Sequence, residues 1–249
     1  MIIAGILAIL ALIYLGVLLF LYQHQEQILF HPKHFPKHYN FSYQWPFEEY
    51  FISPEPGVEL NVLKFPVENS RGAILYFHGN RGHLGKSGSY YKRVAHFGYD
   101  VVLFDYRNYG KSNGTLSYKN LLSDGQFVFH WVAKQYGQEN VIVHGCSLGS
   151  GIACYIASIE QPKQLVLETP YYSIANVAKH KYPFVPIGIL NKFPLSNARF
   201  LPKVRCKTDI IHGTEDQTVP YSSAKALQKL NPLSTLHTII GGGHSNLKE

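Results

Sequence analysis

Three residues far apart in the chain have side chains that together suit attack on an acyl carbon: Ser147, Asp216 and His244. A serine hydroxyl is a weak nucleophile unless a base takes its proton. Imidazole, with an unperturbed pKa of roughly 6.5, suits that work near neutrality. An acid behind the imidazole holds its tautomer and stabilises the imidazolium that forms. Ser147 stands in Gly145-Cys146-Ser147-Leu148-Gly149, the G-x-S-x-G spacing that puts a serine on a sharp strand-to-helix turn with its hydroxyl in the open. His244 follows Gly241-Gly242-Gly243, which lets the loop swing its ring toward that turn. Asp216 is the acid favoured by the chain order Ser, Asp, His, with its neighbour Glu215 and the strand-end Glu168 as alternatives.

Acyl transfer also needs donors for the oxyanion of its tetrahedral intermediate. The Leu148 backbone N–H, at the start of the helix after the serine, is one. The loop His78-Gly79-Asn80-Arg81-Gly82 follows the first buried strand and offers the second from the Asn80 backbone. None of this chemistry calls for a metal or an organic cofactor.

The elements that must position these groups alternate. Two antiparallel strands are expected near 49–53 and 59–65, around the turn Pro54-Glu55-Pro56-Gly57. Strands then follow at 73–78, 101–106, 140–145, 164–169, 208–213 and 235–240, with helices at 87–97, 118–136, after Ser147, and at 222–230. Short apolar runs between helical stretches predict right-handed βαβ units and an α/β fold with a mostly parallel sheet covered on both faces. Ligands in such sheets bind at the carboxyl ends of strands, where Ser147 lies. The alternation pauses over about 170–202, a segment rich in Tyr, Phe and Pro that is expected to form a small lid. Tyr171 and Tyr172 are its candidate substrate contacts, and Arg81 is a candidate for an anionic head group.

Ile2 to Tyr22 carries no charged residue and is long enough for a membrane anchor helix. No Lys or Arg precedes the run, which argues against a cleaved signal peptide. Residues 23–48, broken by Pro32, Pro36 and Pro46, read as an irregular juxtamembrane connector. Those prolines also count against His31, His34 and His38 as a metal site. Residues 49–249 are expected to form the domain that carries these candidate residues. Lys33 and Lys37 after the apolar run lean toward a cytoplasmic side for that domain.

The formal charge of +7 raises nucleic acid as a partner, but no nucleic-acid motif or clustered basic block accompanies it, and a solvated basic surface accounts for it. Cys146, Cys154 and Cys206 are odd in number and contain no C-x-x-C pair, so neither a disulfide framework nor a zinc site is indicated.

With these residues placed, the chain resembles the α/β-hydrolase superfamily. More narrowly it is similar to membrane-anchored α/β-hydrolase-domain proteins, among them lysophospholipases, monoacylglycerol lipases and protein depalmitoylases. The resemblance rests on Phe77-His78-Gly79-Asn80, on Asp105-Tyr106-Arg107-Asn108-Tyr109-Gly110-Lys111-Ser112, on Gly145 to Gly149, on His212 to Asp216, and on Gly243-His244. It implies the α/β-hydrolase fold and a serine hydrolase that cleaves lipid-like carboxylic esters or thioesters through an acyl-enzyme. A serine peptidase or small polar ester hydrolase of the same mechanism is the alternative, and a non-catalytic binding protein of the same fold is a third reading. The chain departs from the family pattern in three ways. Asn108 stands where Gly is common, the loop Arg81 to Lys86 is more basic, and Ser245 to Glu249 are too few for the full helix expected after the histidine.

Overall fold

The structure, a computed structural model, describes residues 1–247. Strands β1 (Glu48–Ile52) and β2 (Leu60–Phe65) pair antiparallel, and β2 runs antiparallel to β4 (Asp100–Phe104). The rest of the sheet is parallel: β3 (Ala73–Phe77), β5 (Val141–Cys146), β6 (Gln164–Glu168), β7 (Lys207–Gly213) and β8 (Ser234–Ile239). The order across it is β1-β2-β4-β3-β5-β6-β7-β8. Each strand begins and ends within two residues of its sequence expectation.

Along β3, Ala73, Leu75 and Phe77 pack into one buried cluster while Ile74 and Tyr76 join another on the opposite face. A strand buried on both sides reads as an unbroken apolar run, which is why Ala73 to Phe77 shows no polar alternation.

Helix α1 (Ile2–Gln23) has none of its residues buried and is long and apolar enough to cross a membrane. Then comes α2 (Gln25–Leu29), a short helix inside the connector expected to be irregular. The rest of that connector packs on the domain, because its aromatic side chains need cover. Phe30 and Phe41 are buried, and the chain exchanges bonds with Gly110, Phe35 N–H to Gly110 O and Gly110 N–H to Lys33 O, both 2.8 Å.

The single helix expected over 87–97 is instead α3 (Leu84–Ser87), α4 (Tyr90–Val94) and a final turn at 95–97. Gly88 and Ser89 are weak helix formers, and the Tyr43 hydroxyl captures the Leu84 carbonyl at the break. By contrast α5 (Tyr118–Tyr136) matches its expectation, starting at Ser117, whose side chain accepts the Asn120 N–H, and burying Leu121, Val128, Phe129 and Val132 along one stripe. The elbow helix is α6 (Leu148–Ile159). Between β6 and β7 the lid segment holds α7 (Ile174–Lys181), α8 (Ile187–Leu190) and α9 (Asn197–Phe200), and α10 (Ser222–Gln228) separates β7 from β8. Among the described residues no helix follows His244, and Lys248 and Glu249 lie outside them.

Candidate active site

Strands β3 and β5 are neighbours in the sheet, but the chain leaves them in opposite directions, β3 toward β4 and β5 toward β6. That topological switch opens a crevice at their carboxyl ends. Ser147 comes directly after β5, and residues 78–80 come directly after β3.

The elbow is strained and tightly packed. Ser147 has φ 49° and ψ −116°, a left-handed conformation rare for any residue but glycine. Thr169, at the end of the adjacent strand, also has positive φ, 47°, although its side chain is β-branched. Such conformations cost about 1–3 kcal/mol each and persist only where surroundings hold them. Here Ser147 N–H donates to Glu168 O at 2.9 Å, and Thr169 N–H to Ile211 O at 2.8 Å. A Cβ at Gly145 would fall 2.5 Å from Gly149 O, and one at Gly149 would fall 2.1 Å from Phe77 O. Glycine at both positions is what lets α6 close onto the backbone of β3 and β5.

His244 reaches this elbow across 97 residues of sequence. Its Nε2 lies 2.9 Å from Ser147 Oγ, and its Nδ1 lies 2.7 Å from Asp216 Oδ2. The glycine run works partly by close approach: Gly241 takes φ 72°, and Gly242 lies against Gly213 so closely that a Cβ on Gly213 would be 2.1 Å from Gly242 O. Glu215 N–H donates to Gly242 O at 2.9 Å, tying the acid loop to the histidine loop.

Of the three candidate acids, only Asp216 is placed on the histidine. Glu215 is exposed, whereas Glu168 is buried against Arg93, at 3.2 Å, and His144, also at 3.2 Å. Burial pushes the Asp216 carboxyl up, but hydrogen bonds from His212, His244 and the Val219 N–H outweigh it and hold the group well below the usual carboxylate range. Asp216 Oδ1 also accepts the Thr218 N–H, at 2.8 Å like the Val219 bond. The result is a buried carboxylate that stays ionised behind the imidazole.

The loop after β3 approaches the serine: a Cβ at Gly79 would sit 3.5 Å from Ser147 Cβ. The Asn80 peptide is pinned from several sides. Its carbonyl accepts the Tyr109 hydroxyl at 2.7 Å and the His31 N–H at 3.2 Å, and its side-chain Nδ2 donates to Leu29 O at 3.1 Å. Leu148 begins α6, so its N–H has no partner within the helix. Beside the serine, desolvation pushes the Cys146 thiol up to about 12, so it stays protonated at neutral pH.

The expected substrate contacts divide. Tyr171 is 2% exposed and its hydroxyl donates to Leu148 O at 3.2 Å, over Gly151, where a Cβ would collide with that hydroxyl. It therefore buttresses the elbow helix and has no open face toward a ligand. Tyr172 is half-buried against the core, and Arg81 is exposed. Asn108 takes φ 65°, a conformation asparagine tolerates better than most side chains, so the turn keeps the shape glycine would give it.

Three further supports stand behind the residues expected from the sequence. His212 brings Nε2 to 3.1 Å from Asp216 Oδ2 and 3.0 Å from Val219 O. Asn197, in the lid, donates to Ser150 Oγ at 2.9 Å and Tyr171 O at 2.8 Å, tying lid to elbow helix. The segment after α1 holds Asn80 through Leu29 and His31. Of these, only the i, i+4 relation of His212 to Asp216 was open to reading from sequence.

The family model described as "Serine aminopeptidase, S33" matches residues 68–195, just over half of the 249-residue chain. The chain belongs to the α/β-hydrolase family. Among its relatives is the lysophosphatidylserine lipase ABHD12 of Danio rerio, 30% identical over 221 residues, covering 73% of this chain and 58% of that protein. The alpha/beta hydrolase domain-containing protein aho-3 of Caenorhabditis elegans is 31% identical over 188 residues, covering 74% of this chain and 55% of that one. The chain thus spans somewhat over half the length of these two curated relatives. In fold it is similar to an esterase of Pyrococcus furiosus, with a TM-score of 0.68, 18% identity, and coverage of 87% of this chain and 89% of that one.

Proposed function

We propose that this hydrolase cleaves carboxylic ester or thioester bonds of lipid-like acyl substrates through an acyl-enzyme on Ser147. The observation that carries the reading is the unbroken line from Ser147 Oγ through His244 to Asp216, with both steps at hydrogen-bond distance. Ser147 Oγ attacks the acyl carbon as His244 Nε2 takes its proton. The imidazolium so formed is stabilised by the ionised Asp216 and returns the proton to the leaving alcohol or thiol. The oxyanion is received by the Leu148 and Asn80 N–H groups, each worth about 10²- to 10³-fold in rate. Water then enters by the same base catalysis and releases the acid.

The lipid preference rests on the apolar α1, on the lid, and on the lipase named among the relatives. In this reading residues 1–22 anchor the chain, 23–48 connect, and 49–249 form the hydrolase domain on the side of Lys33 and Lys37, with about 170–202 as lid. Tyr172 and Arg81 face the substrate side, and Tyr171 acts through Leu148.

The test is labelling with a fluorophosphonate probe, which reacts with an activated serine. Wild type is expected to label and Ser147→Ala to fail; an unlabelled but folded wild type would return the chain to a binding role. A chain-length series of p-nitrophenyl esters then tests the substrate class, with a preference for acetate over long chains counting against lipids. The description of the matching family model favours peptide bonds as a second reading, so aminoacyl p-nitroanilides belong in the same panel.

A further inference from the structure

The end of α1, together with α2, and the lid do not merely lie near each other; they enclose an apolar groove. Leu21, Ile28 and Leu29 form one side and Ile174, Ala178 and Ile187 the other, around a cavity of about 100 Å³ that is open along one edge. Polar contacts hold its walls together. The Gln25 side chain donates to Leu190 O and accepts the Lys192 N–H at 2.9 Å, and the Lys192 ammonium stands 4.1 Å over the Tyr22 ring. At the inner end Phe30 is buried against Phe193, with ring centres 4.7 Å apart. There Leu29 lines the groove while its carbonyl accepts from Asn80, whose loop backs onto Ser147.

The outer end lies deep along α1. Tyr14 donates its hydroxyl to Phe184 O at 2.8 Å. Gln23 lies nine residues beyond Tyr14, which at 1.5 Å per residue is about 13.5 Å along the helix. If α1 spans a bilayer, the lid tip Pro183-Phe184-Val185-Pro186 is therefore immersed beside it. Its composition suits that position. Two of its four residues lack an N–H, the Phe184 carbonyl has its partner in Tyr14, Val185 N–H donates to Tyr182 O at 3.1 Å, and the Phe184 ring is 86% exposed. Hydrocarbon demands satisfied backbone and rewards exposed apolar surface.

We propose that this groove is the acyl-chain site: a membrane lipid slides its chain sideways from the bilayer between anchor and lid, and its ester arrives at Ser147 past Leu29 and Asn80. The anchor helix is then one wall of the binding site as well as a tether. This rests on the serine-hydrolase reading above, which the experiment must separate from it.

The full chain is reconstituted in phosphatidylcholine–phosphatidylserine vesicles, and rates are taken per fluorophosphonate-labelled serine, so an unfolded fraction does not count. Ala178→Trp is expected to lower the ratio of kcat/KM on p-nitrophenyl laurate to that on the butyrate by about tenfold or more, the loss expected when burial of about two methylenes is denied. Independently, Phe184→Trp, at an exposed position that leaves the core untouched, is expected to gain indole fluorescence quenched by lipids brominated in mid-chain, after subtraction of the wild-type signal. An unchanged laurate-to-butyrate ratio, or an indole that mid-chain bromines do not quench, overturns the proposal while labelling of Ser147 stands. Wild type that does not label overturns the hydrolase reading, and the proposal with it.

Discussion

Two histidine–carboxylate pairs sit on neighbouring strand ends of this sheet, and they differ in what lies on the far side of each partner. In the first, Asp216 meets His244 at 2.7 Å, and the other ring nitrogen of His244 faces the Ser147 hydroxyl. In the second, Glu168 meets His144 at 3.2 Å, and the other ring nitrogen of His144 meets the Tyr90 hydroxyl. The carboxylates are balanced differently too. Glu168 has its charge answered by the Arg93 guanidinium, whereas Asp216 is held by imidazoles and backbone N–H groups that carry no fixed charge. A carboxylate already neutralised by arginine has little left with which to stabilise an imidazolium. One held by dipoles keeps its full charge for that moment. In the proposed mechanism the same residue types thus build a lock on one strand pair and a base on the next.

The largest expected effect is at the serine. Ser147→Ala is expected to cut esterase activity by about 10⁵- to 10⁶-fold, because the base is left with nothing to activate. Asp216→Asn should cost about 10⁴-fold with the fold kept, since the amide favours the wrong tautomer of His244. Glu168→Gln is the matched change in the other pair. It should leave the rate within about tenfold of wild type and instead lower stability by about 2 kcal/mol, a figure kept modest because Arg93 is half-exposed and can turn to water. Steady-state rates and thermal unfolding on all three variants check this. Equal rate losses for Asp216→Asn and Glu168→Gln would erase the division between the pairs.

Much of this division was legible in the sequence. The elbow spacing, the order of the three residues and the alternation of strands and helices located Ser147, Asp216 and His244 because each follows a short apolar strand, and strand ends are easy to find. The rival acids were not separable by position, since Glu168 also ends a strand; only the side-chain direction, set by pleat and by Arg93, divides them. Tyr171 is hard to place from sequence for a similar reason. An aromatic after a strand end reads as a site wall, but the missing Cβ at Gly151 opens a slot beneath it, and only three-dimensional packing shows that slot. The connector 23–48 looked irregular because its prolines exclude long elements, and its aromatic residues gave no hint of which surface they cover. Contacts such as Leu29 with Asn80 join segments 51 residues apart and leave no periodic trace.

A smaller effect sharpens the same contrast. Tyr171→Phe removes one hydroxyl from the Leu148 carbonyl and should cost about 1 kcal/mol of stability, with a modest fall in kcat and little change in KM, because the ring acts on the elbow and not on substrate. A large rise in KM would instead put Tyr171 on the ligand.

The finest test is in acid. Burial works against both carboxylates, yet His144 and Arg93 bring Glu168 down to about 2, and hydrogen bonds from His212, His244 and Val219 N–H bring Asp216 lower still. A carboxylate depressed in the folded state contributes stability that is complete above its unfolded value, about 4, and that drains away as pH falls through the folded value. Near neutrality, then, the gap in stability between wild type and Glu168→Gln is at its full size. It should begin to narrow below about pH 5 and close near pH 2. The gap for Asp216→Asn should continue to narrow to lower pH than that, because the folded value of Asp216 lies below that of Glu168. Denaturant midpoints for the three proteins, taken from about pH 7 to the lowest pH at which they remain folded, measure both gaps. A Glu168→Gln gap that holds constant through that range would mean that the Glu168 charge is not what joins Arg93 to His144, and the lock would have to be a matter of packing alone.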